Sequence, residues 1–246
     1  MSTPAPQPNN RSDELAQRYG LEPVPESVMR LTQLVARRES WGDDIATVID
    51  KDKMLTGRLL SAANPRAESE KDYKFTTVQE SLSRVGMNWV LLLAMVDPLM
   101  RAVTKTFSTM IAVELENCKL KLMTPLTCTH VVAEVGFTGK ATGVVQLRMM
   151  PDTARLIASR LLGLAAEEVT DPDINDVIGE MGNVVGGNLK SNLCDANLDC
   201  KLSPPKISRT DSFLIYKPTG NIAERYGFRS PEMSLFVDIS VNPKTA

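Results

Sequence analysis

A carboxylate and a carboxamide stand three residues apart in this sequence, at Glu180 and Asn183. Residues at this spacing lie on the same side of an α-helix, roughly one turn from each other. A carboxamide can hold a water molecule, because its oxygen accepts a hydrogen bond and its NH₂ group donates one. The spacing therefore predicts a polar site on the surface of one helix, with an acid and an amide side by side.

The segment around this pair has the apolar spacing of a helix with one buried face. Apolar residues recur at intervals of three and four, and they are Ile174, Val177, Ile178, Met181, Val184, Val185 and Leu189. A separate stripe consists of Glu180, Asn183, Gly187 and Lys190. Such a stripe is in most proteins only the solvated side of an amphipathic helix, and composition alone favours that interpretation.

Glycines in the same segment favour a more specific interpretation. Gly182, Gly186 and Gly187 lie within six consecutive positions, and each destabilises a helix by about 1 kcal/mol relative to alanine. A helix that contains all three is expected to need a close approach by another group. Two approaches fit equally well at this point: the loops of a partner protein, or a tightly packed neighbouring helix.

Length and composition indicate a globular protein with ample material for a core. The chain has 246 residues, of which 43% are hydrophobic, which allows one large domain or two small ones. A net charge of −2 gives no overall electrostatic footprint for nucleic acid. The longest apolar run, Trp89 to Val96, is too short to span a bilayer, and the N-terminus lacks the pattern of a secretory signal. We expect a cytoplasmic protein that binds neither nucleic acid nor membrane.

The sequence contains few residues that could bind a metal ion or act as a catalytic histidine. The four cysteines, Cys118, Cys128, Cys194 and Cys200, contain no C-x-x-C pair, a spacing typical of zinc sites. The single histidine, His130, lies in a strand-like run. We therefore predict buried cysteines, a structural histidine and no metal site, and a histidine-based catalytic triad lacks its parts.

The first hundred residues are predicted to form a polar tail and a series of short helices. Residues 1–11 are expected to be disordered, because they are nearly devoid of apolar side chains. Thr77 and Glu80 have the spacing of a capping box, and an apolar helical segment from Asn88 to about Ile111 is expected to be interrupted near Pro98. Residues 12–101 are assigned to one all-helical module. Its earlier helices are predicted at 12–19, 26–38, 43–50 and 50–63, the last with Met54, Leu55 and Leu59 buried.

From Val113 onward the apolar period changes from that of a helix to that of a strand. Helices are predicted from Pro151 to Leu162 and, for the segment that contains the acid and the amide, from 171–173 onward. The fold class of residues 102–246 is therefore predicted as α+β, with two long helices packed on a mainly antiparallel sheet. The predicted strands are 113–122, a hairpin of 129–137 with 142–149, 199–202, 212–216 and 233–241.

Two segments of the helical module resemble the HDOD family. They are V-I-D-K-D-K-M-L-T-G-R-L-L-S-A-A-N at 48–64 and T-T-V-Q-E-S-L-S-R-V-G at 76–86. The resemblance covers about 21–100, which implies a truncated HDOD-like region. That family is related to metal-dependent phosphohydrolases but has lost their His and Asp ligands, and this stretch contains no histidine. The resemblance implies a binding or dimerisation module.

The order of Asp176, Glu180, Asn183 and Gly186 resembles the helical signature of the CheC/CheX/FliY family of phosphatases. The signature occurs once here, as in CheX, and the resemblance covers about 102–241. It implies an enzyme that stimulates loss of the aspartyl phosphate from the receiver domain of a response regulator, in chemotaxis or two-component signalling. It also implies that Asn183 orients the attacking water, that Glu180 pairs with the receiver's active-site lysine, and that Asp176 helps to orient the complex. No cofactor is implied in this chain, because the receiver supplies Mg²⁺.

The same resemblance leaves other functions and an oligomeric state open. A non-catalytic adaptor that binds receiver domains through the same helix is the main alternative, because the fused helical module departs from stand-alone CheX. A flagellar-switch component like FliY fits less well, since no switch-binding domain follows Val241. A homodimer is expected, because the last predicted strand is taken to offer an exposed edge. The surface expected to contact the partner consists of Asp176, Gly186, Gly187 and Lys190.

Overall fold

The computed structural model describes residues 26–36, 43–64, 74–118, 129–195, 198–212 and 222–243. The expected tail, the helix at 12–19 and nearly all of the strand at 212–216 lie outside these ranges. The helices are α1 (Glu26–Ala36), α2 (Asp43–Lys51), α3 (Lys53–Ala63), α4 (Val78–Val85), α5 (Met87–Ile111), α6 (Pro151–Leu162) and α7 (Asp171–Asp195). The strands are β1 (Glu116–Cys118), β2 (His130–Gly139), β3 (Ala141–Met149), β4 (Cys200–Leu202), β5 (Lys206–Thr210), β6 (Ile222–Arg229) and β7 (Ser234–Pro243).

Helices α3 and α4 begin at side-chain caps, and the N-terminal helices enclose a hydrophobic cluster of their own. The capping box of Thr77 and Glu80 is present as predicted, with both reciprocal hydrogen bonds. At the start of α3, Asp52 accepts hydrogen bonds from the backbone of Met54 and Leu55. This start directs Leu55 and Leu59 inward, whereas Met54 is 58% exposed, so the prediction that Met54 is buried is wrong. The cluster consists of Leu31, Ile45, Ala46, Val48, Ile49, Leu55, Leu59, Val78, Leu82 and Val90.

Helix α5 is continuous over 25 residues and belongs to both halves of the chain. The predicted interruption near Pro98 is wrong, because apolar side chains on both sides of it, such as Val96 and Leu99, are fully buried on one face. Burial of that face outweighs the single helical hydrogen bond that a proline removes. The helix contacts α1, α3 and α4 as well as α6, α7, β6 and β7. The predicted domain boundary between residues 101 and 102 lies inside this helix.

The strands form one antiparallel sheet in the order β1-β6-β7-β3-β2-β4, with β5 also paired to β2. The β2–β3 hairpin is confirmed. Two strands were not predicted: β5, whose only apolar side chain is Ile207, and β6, in which Glu224 interrupts the apolar alternation. Because β7 pairs with both β3 and β6, it is an interior strand. The exposed-edge argument for a homodimer is therefore wrong, and the homodimer itself stays a prediction.

Helices α5, α6 and α7 cover one face of the sheet, which confirms the α+β fold class. Helix α6 ends at Gly163 as predicted, with the glycine in the left-handed conformation. Fully buried side chains in this core include Phe107, Phe137, Ile178, Phe228 and Ile239. No helix in the described ranges is long and apolar enough to cross a membrane.

The opposite face of the sheet contains a buried group of charged side chains. Asp238 of β7 accepts two hydrogen bonds from Arg225 of β6, at 2.5 Å and 2.6 Å, and lies 3.6 Å from the Nε of Arg148 on β3. All three side chains are only 3% exposed. Arg148 also donates to the carbonyl of Ser212. These ion pairs join three adjacent strands, β6, β7 and β3, on the face remote from the helices.

Candidate functional site

Helix α7, which contains the predicted acid and amide, begins at a reciprocal cap. The Asp173 carboxylate accepts hydrogen bonds from the backbone N–H and the hydroxyl of Thr170, and the Asp173 N–H donates to that hydroxyl. These hydrogen bonds lower the pKa of Asp173. The cap satisfies donors that the first turn of a helix leaves unpaired, so it fixes the point at which the helix starts.

Arg209 of β5 holds the first two turns of α7 against the edge of the sheet. Its guanidinium donates to the Asn175 side-chain oxygen at 3.1 Å and lies 3.3 Å from the Asp171 carboxylate. The sequence pattern does not reveal Arg209 and Asn175, because a contact between residues 34 positions apart leaves no local signal. Asn175, which Arg209 contacts, directly precedes Asp176, the first residue of the predicted site.

The glycines of α7 explain how closely the helix packs on β2. A Cβ at position 182 would lie 3.0 Å from the Cβ of Ala133, and one at position 186 would lie 2.8 Å from Val135 Cγ1. The sequence suggested that either the loops of a partner protein or a neighbouring helix approaches these glycines. Neither applies to Gly182 and Gly186, because the group that approaches them is strand β2 of the same chain. The expectation that Gly186 contacts a partner is therefore corrected: Gly186 is buried against the sheet.

The packing of this glycine face on β2 directs the polar stripe into solvent. The apolar face is buried as predicted, except that Val184 is only half-buried. Successive helical residues are rotated by about 100°, so Asn183 follows Gly182 away from the sheet and is half-buried. Glu180 and Asp176 are exposed. The acid and the amide therefore share one accessible side of α7.

The side chains of this stripe are not engaged within the described chain. Among the described residues, no hydrogen bond or ion pair involves the side chains of Asp176, Glu180 or Asn183. The acid and the amide are thus available to another molecule, which is the property the sequence interpretation required.

The C-terminal half of the stripe is open and ends in a cation. Gly187 is half-buried, and a Cβ there would meet nothing within 4 Å, so internal packing does not require this glycine. Lys190, one turn later, is exposed. Burial raises the pKa of the Cys200 thiol, and the neighbouring Cys194 raises it further. The positive charge of Lys190 acts in the opposite direction and lowers this pKa.

The remaining candidates from the sequence lie away from this stripe. His130 is fully buried, with its ring edge-on to that of Phe236 at a centroid distance of 6.4 Å. Cys200 is buried as predicted, whereas Cys194 is half-buried. Within the described ranges, no group of three or more His, Cys, Asp or Glu side chains has an arrangement that could hold a metal ion.

The arrangement on α7 can position small polar groups of another molecule. The Asn183 amide can orient a water molecule through one donor and one acceptor, while the exposed Glu180 carboxylate, about one helical turn away, can accept a charge-assisted hydrogen bond from a cation. The helix is positioned by the cap and by the Arg209 contacts at its start, and by the two glycine contacts with β2 further along. Sites on such elements retain their geometry better than sites on loops.

Comparisons with family models identify two regions of the chain. Residues 131–228 match the model described as chemotaxis phosphatase CheX, and residues 21–146 match the HDOD domain model. The first match includes all of α7. The second extends beyond the predicted helical module through β2 and into β3. A search of curated proteins finds no match to this chain.

Solved structures show the same fold at low sequence identity. The chain is similar to the chemotaxis protein CheX from Vibrio vulnificus, with 20% identity, a TM-score of 0.51, and coverage of 60% of this chain and 96% of that one. It is also similar to a CheC-like superfamily protein from Shewanella sp. PV-4, with 19% identity, a TM-score of 0.53, and coverage of 60% and 97%. A third similar structure is a chemotaxis protein CheX from Desulfovibrio desulfuricans, with 19% identity, a TM-score of 0.51, and coverage of 60% of this chain and 99% of that one.

Proposed function

Since the chain belongs to the HDOD family and its C-terminal part is CheX-like, we propose that it stimulates dephosphorylation of an aspartyl phosphate on a response-regulator receiver domain. The partner is a CheY-like receiver in chemotaxis or two-component signalling. The observation that carries this proposal is the pair of Glu180 and Asn183, which lies on the accessible side of α7 and has no hydrogen bond or ion pair with any described residue.

The reaction requires little chemical machinery from this chain. A receiver already holds the phosphoryl group and a Mg²⁺ ion, so a water molecule in line with the phosphorus is the missing component. Phosphoryl transfer depends almost entirely on positioning and electrostatics, and a misplacement of about 1 Å can slow a reaction by about a hundredfold. A carboxamide on a fixed helix suits this task, because it orients water without adding negative charge beside the phosphoryl group.

The stripe residues then have separate roles in the complex. Asn183 enters the receiver's site and orients the attacking water. Glu180 pairs with the receiver's active-site lysine and fixes the docked geometry, and the exposed Asp176 one turn earlier helps to orient the approach. Mg²⁺ comes from the receiver, and this chain supplies neither metal nor cofactor.

The test measures phosphate release from a purified phosphorylated receiver with and without this protein. Asn183→Ala is expected to abolish the stimulation while binding is mostly retained, and Glu180→Ala is expected to weaken both. Asn188→Ala is the matched control, because Asn188 is a half-buried asparagine on a different side of the same helix. Stimulation by both site variants at the wild-type rate would contradict the proposal. Tight binding of the receiver by the wild-type protein without faster phosphate loss would instead support the adaptor.

A further inference from the structure

The polar stripe of α7 has opposite charges at its two ends. Glu180 lies at its start and Lys190 at its end, Asp176 precedes Glu180 by about one turn, and all three side chains are exposed. At 1.5 Å per residue, the Cα atoms of Glu180 and Lys190 are separated by about 15 Å along the helix axis. Asn183 and Gly187 lie between them and are uncharged.

This order of charges is not explained by the stability of the helix. Favourable interactions with the helix dipole are confined to the first and last turns, whereas α7 runs from Asp171 to Asp195 and Lys190 precedes its last turn. Intrahelical ion pairs require a partner three or four residues away. For Lys190 those positions are occupied by Gly186, Gly187, Leu193 and Cys194.

Contacts with the rest of the described chain do not explain Lys190 either. No ion pair or hydrogen bond involves its side chain among the described residues. The open space at Gly187 lies one turn before it on the same stripe. A partner that reaches Asn183 can therefore continue along the helix as far as the ammonium group of Lys190.

We propose that Lys190 binds an acidic side chain of the receiver domain and, together with Glu180, determines the orientation in which the receiver docks. This inference rests on the proposed function. In that orientation the receiver's active-site lysine meets Glu180, and a carboxylate of the receiver, about 15 Å further along the axis of α7, meets Lys190. In the reversed orientation the receiver's lysine would face Lys190, and a like-charge contact of this kind disfavours the wrong complex.

The first experiment measures binding of a receiver loaded with Mg²⁺ and beryllofluoride, a stable substitute for its phosphoryl group. Lys190→Glu is expected to raise the dissociation constant by about tenfold at low salt, with a smaller effect at high salt, because charges at an interface rim act mainly on association and its salt dependence. In the phosphate-release assay it should raise KM and leave kcat unchanged. Lys190→Gln should give an intermediate effect.

The matched control is Lys201→Glu, which makes the same charge change elsewhere. Lys201 is exposed on β4, between Cys200 and Leu202, and successive strand residues point to opposite faces. Because Cys200 and Leu202 pack into the core beneath α7, Lys201 points away from the stripe. This variant should bind as the wild type does. Equal losses in both lysine variants would show a general effect of net charge and would overturn the proposal.

A charge-reversal experiment identifies the contact on the partner. Acidic surface residues of the receiver are replaced by lysine one at a time, and one of these variants should restore the affinity of the Lys190→Glu protein. Wild-type affinity and KM in Lys190→Glu, in a protein whose Asn183→Ala variant is inactive, would overturn this inference and leave the proposed function intact. Failure of the wild-type protein both to bind and to dephosphorylate receivers would overturn both.

Discussion

Gly186 of α7 lies directly against Val135 of β2, and a Cβ added at 186 would be 2.8 Å from Val135 Cγ1. Contacts this short do not occur between real side chains, so a larger residue at 186 would force either Val135 or the helix to shift. Gly182 has a similar relation to Ala133, at 3.0 Å. These two contacts set both the distance of α7 from the sheet and its rotation, and the rotation directs Glu180 and Asn183 into solvent.

Alanine substitutions at the two adjacent glycines should therefore have opposite effects on stability. Gly186→Ala should lower the free energy of unfolding by about 1–3 kcal/mol, because the added methyl group overpacks the contact with Val135. Gly187→Ala should leave it unchanged or raise it by up to about 1 kcal/mol, because position 187 is open and alanine is the better helix former. Urea unfolding of both variants measures the difference, and equal destabilisation would contradict it.

Sequence periodicity was sufficient for the helix that forms the site. The apolar spacing from Ile174 to Leu189 predicted its buried face, and the acid and amide emerged on the opposite side. The same pattern could not identify what Gly182 and Gly186 approach, because their neighbours, Ala133 and Val135, are some 50 residues earlier in the chain. The expectation that another group approaches these glycines closely was correct, but only the tertiary structure identifies that group as β2.

Three other features of the fold differ from what the sequence pattern indicates. Pro98 was expected to interrupt α5, but burial on both sides of it keeps the helix continuous. Strand β6 was missed because Glu224 breaks its apolar alternation. The interior position of β7 could not be predicted either, because the residues of a single strand do not determine which other strands pair with it.

The buried carboxylate of Asp238 should be important for stability. Asp238→Asn would remove the carboxylate that pairs with the buried guanidinium groups of Arg148 and Arg225, and breaking such a group typically destabilises a protein by about 3–5 kcal/mol. Asp199→Asn is the control, because Asp199 forms an exposed ion pair with Lys140, and such pairs contribute about 0–1 kcal/mol. Urea denaturation should separate the two variants clearly, and similar midpoints would argue against a stabilising role for the buried group.

Glu224 should make stability depend on pH. Burial raises its pKa from 4.5 to about 7, and the residue opposite it on β7 is the apolar Ile239. Between these values the unfolded chain has lost the proton and the folded chain retains it, so this group's contribution to stability falls as pH rises, by on the order of 1 kcal/mol per pH unit. Glu224→Gln should remove that slope. Unfolding midpoints of both proteins between pH 5 and pH 8 measure it, and parallel curves would contradict the assignment.

Helix α5 should couple the two hydrophobic clusters in unfolding. Its Val90 belongs to the N-terminal cluster, whereas its Phe107 belongs to the core beneath the sheet. Leu59→Ala removes a fully buried side chain from the N-terminal cluster, which should destabilise it by about 2–5 kcal/mol. Because α5 is continuous, amides of β3 and α7 should lose hydrogen-exchange protection together with those of α3. Loss of protection confined to α1–α4 would show that the clusters unfold independently.

A negative charge at position 183 should be worse for the receiver complex than the loss of the side chain. Asn183→Asp retains the size and one hydrogen-bond acceptor of asparagine, but at neutral pH it places a carboxylate beside the phosphoryl group and lacks the NH₂ donor. Asn183→Ala removes the water-positioning group without adding charge. We therefore expect both variants to lose stimulation of phosphate release, whereas only Asn183→Asp loses affinity for a receiver loaded with Mg²⁺ and beryllofluoride, by about tenfold or more. Equal affinities of the two variants would show that residue 183 does not approach the phosphoryl group.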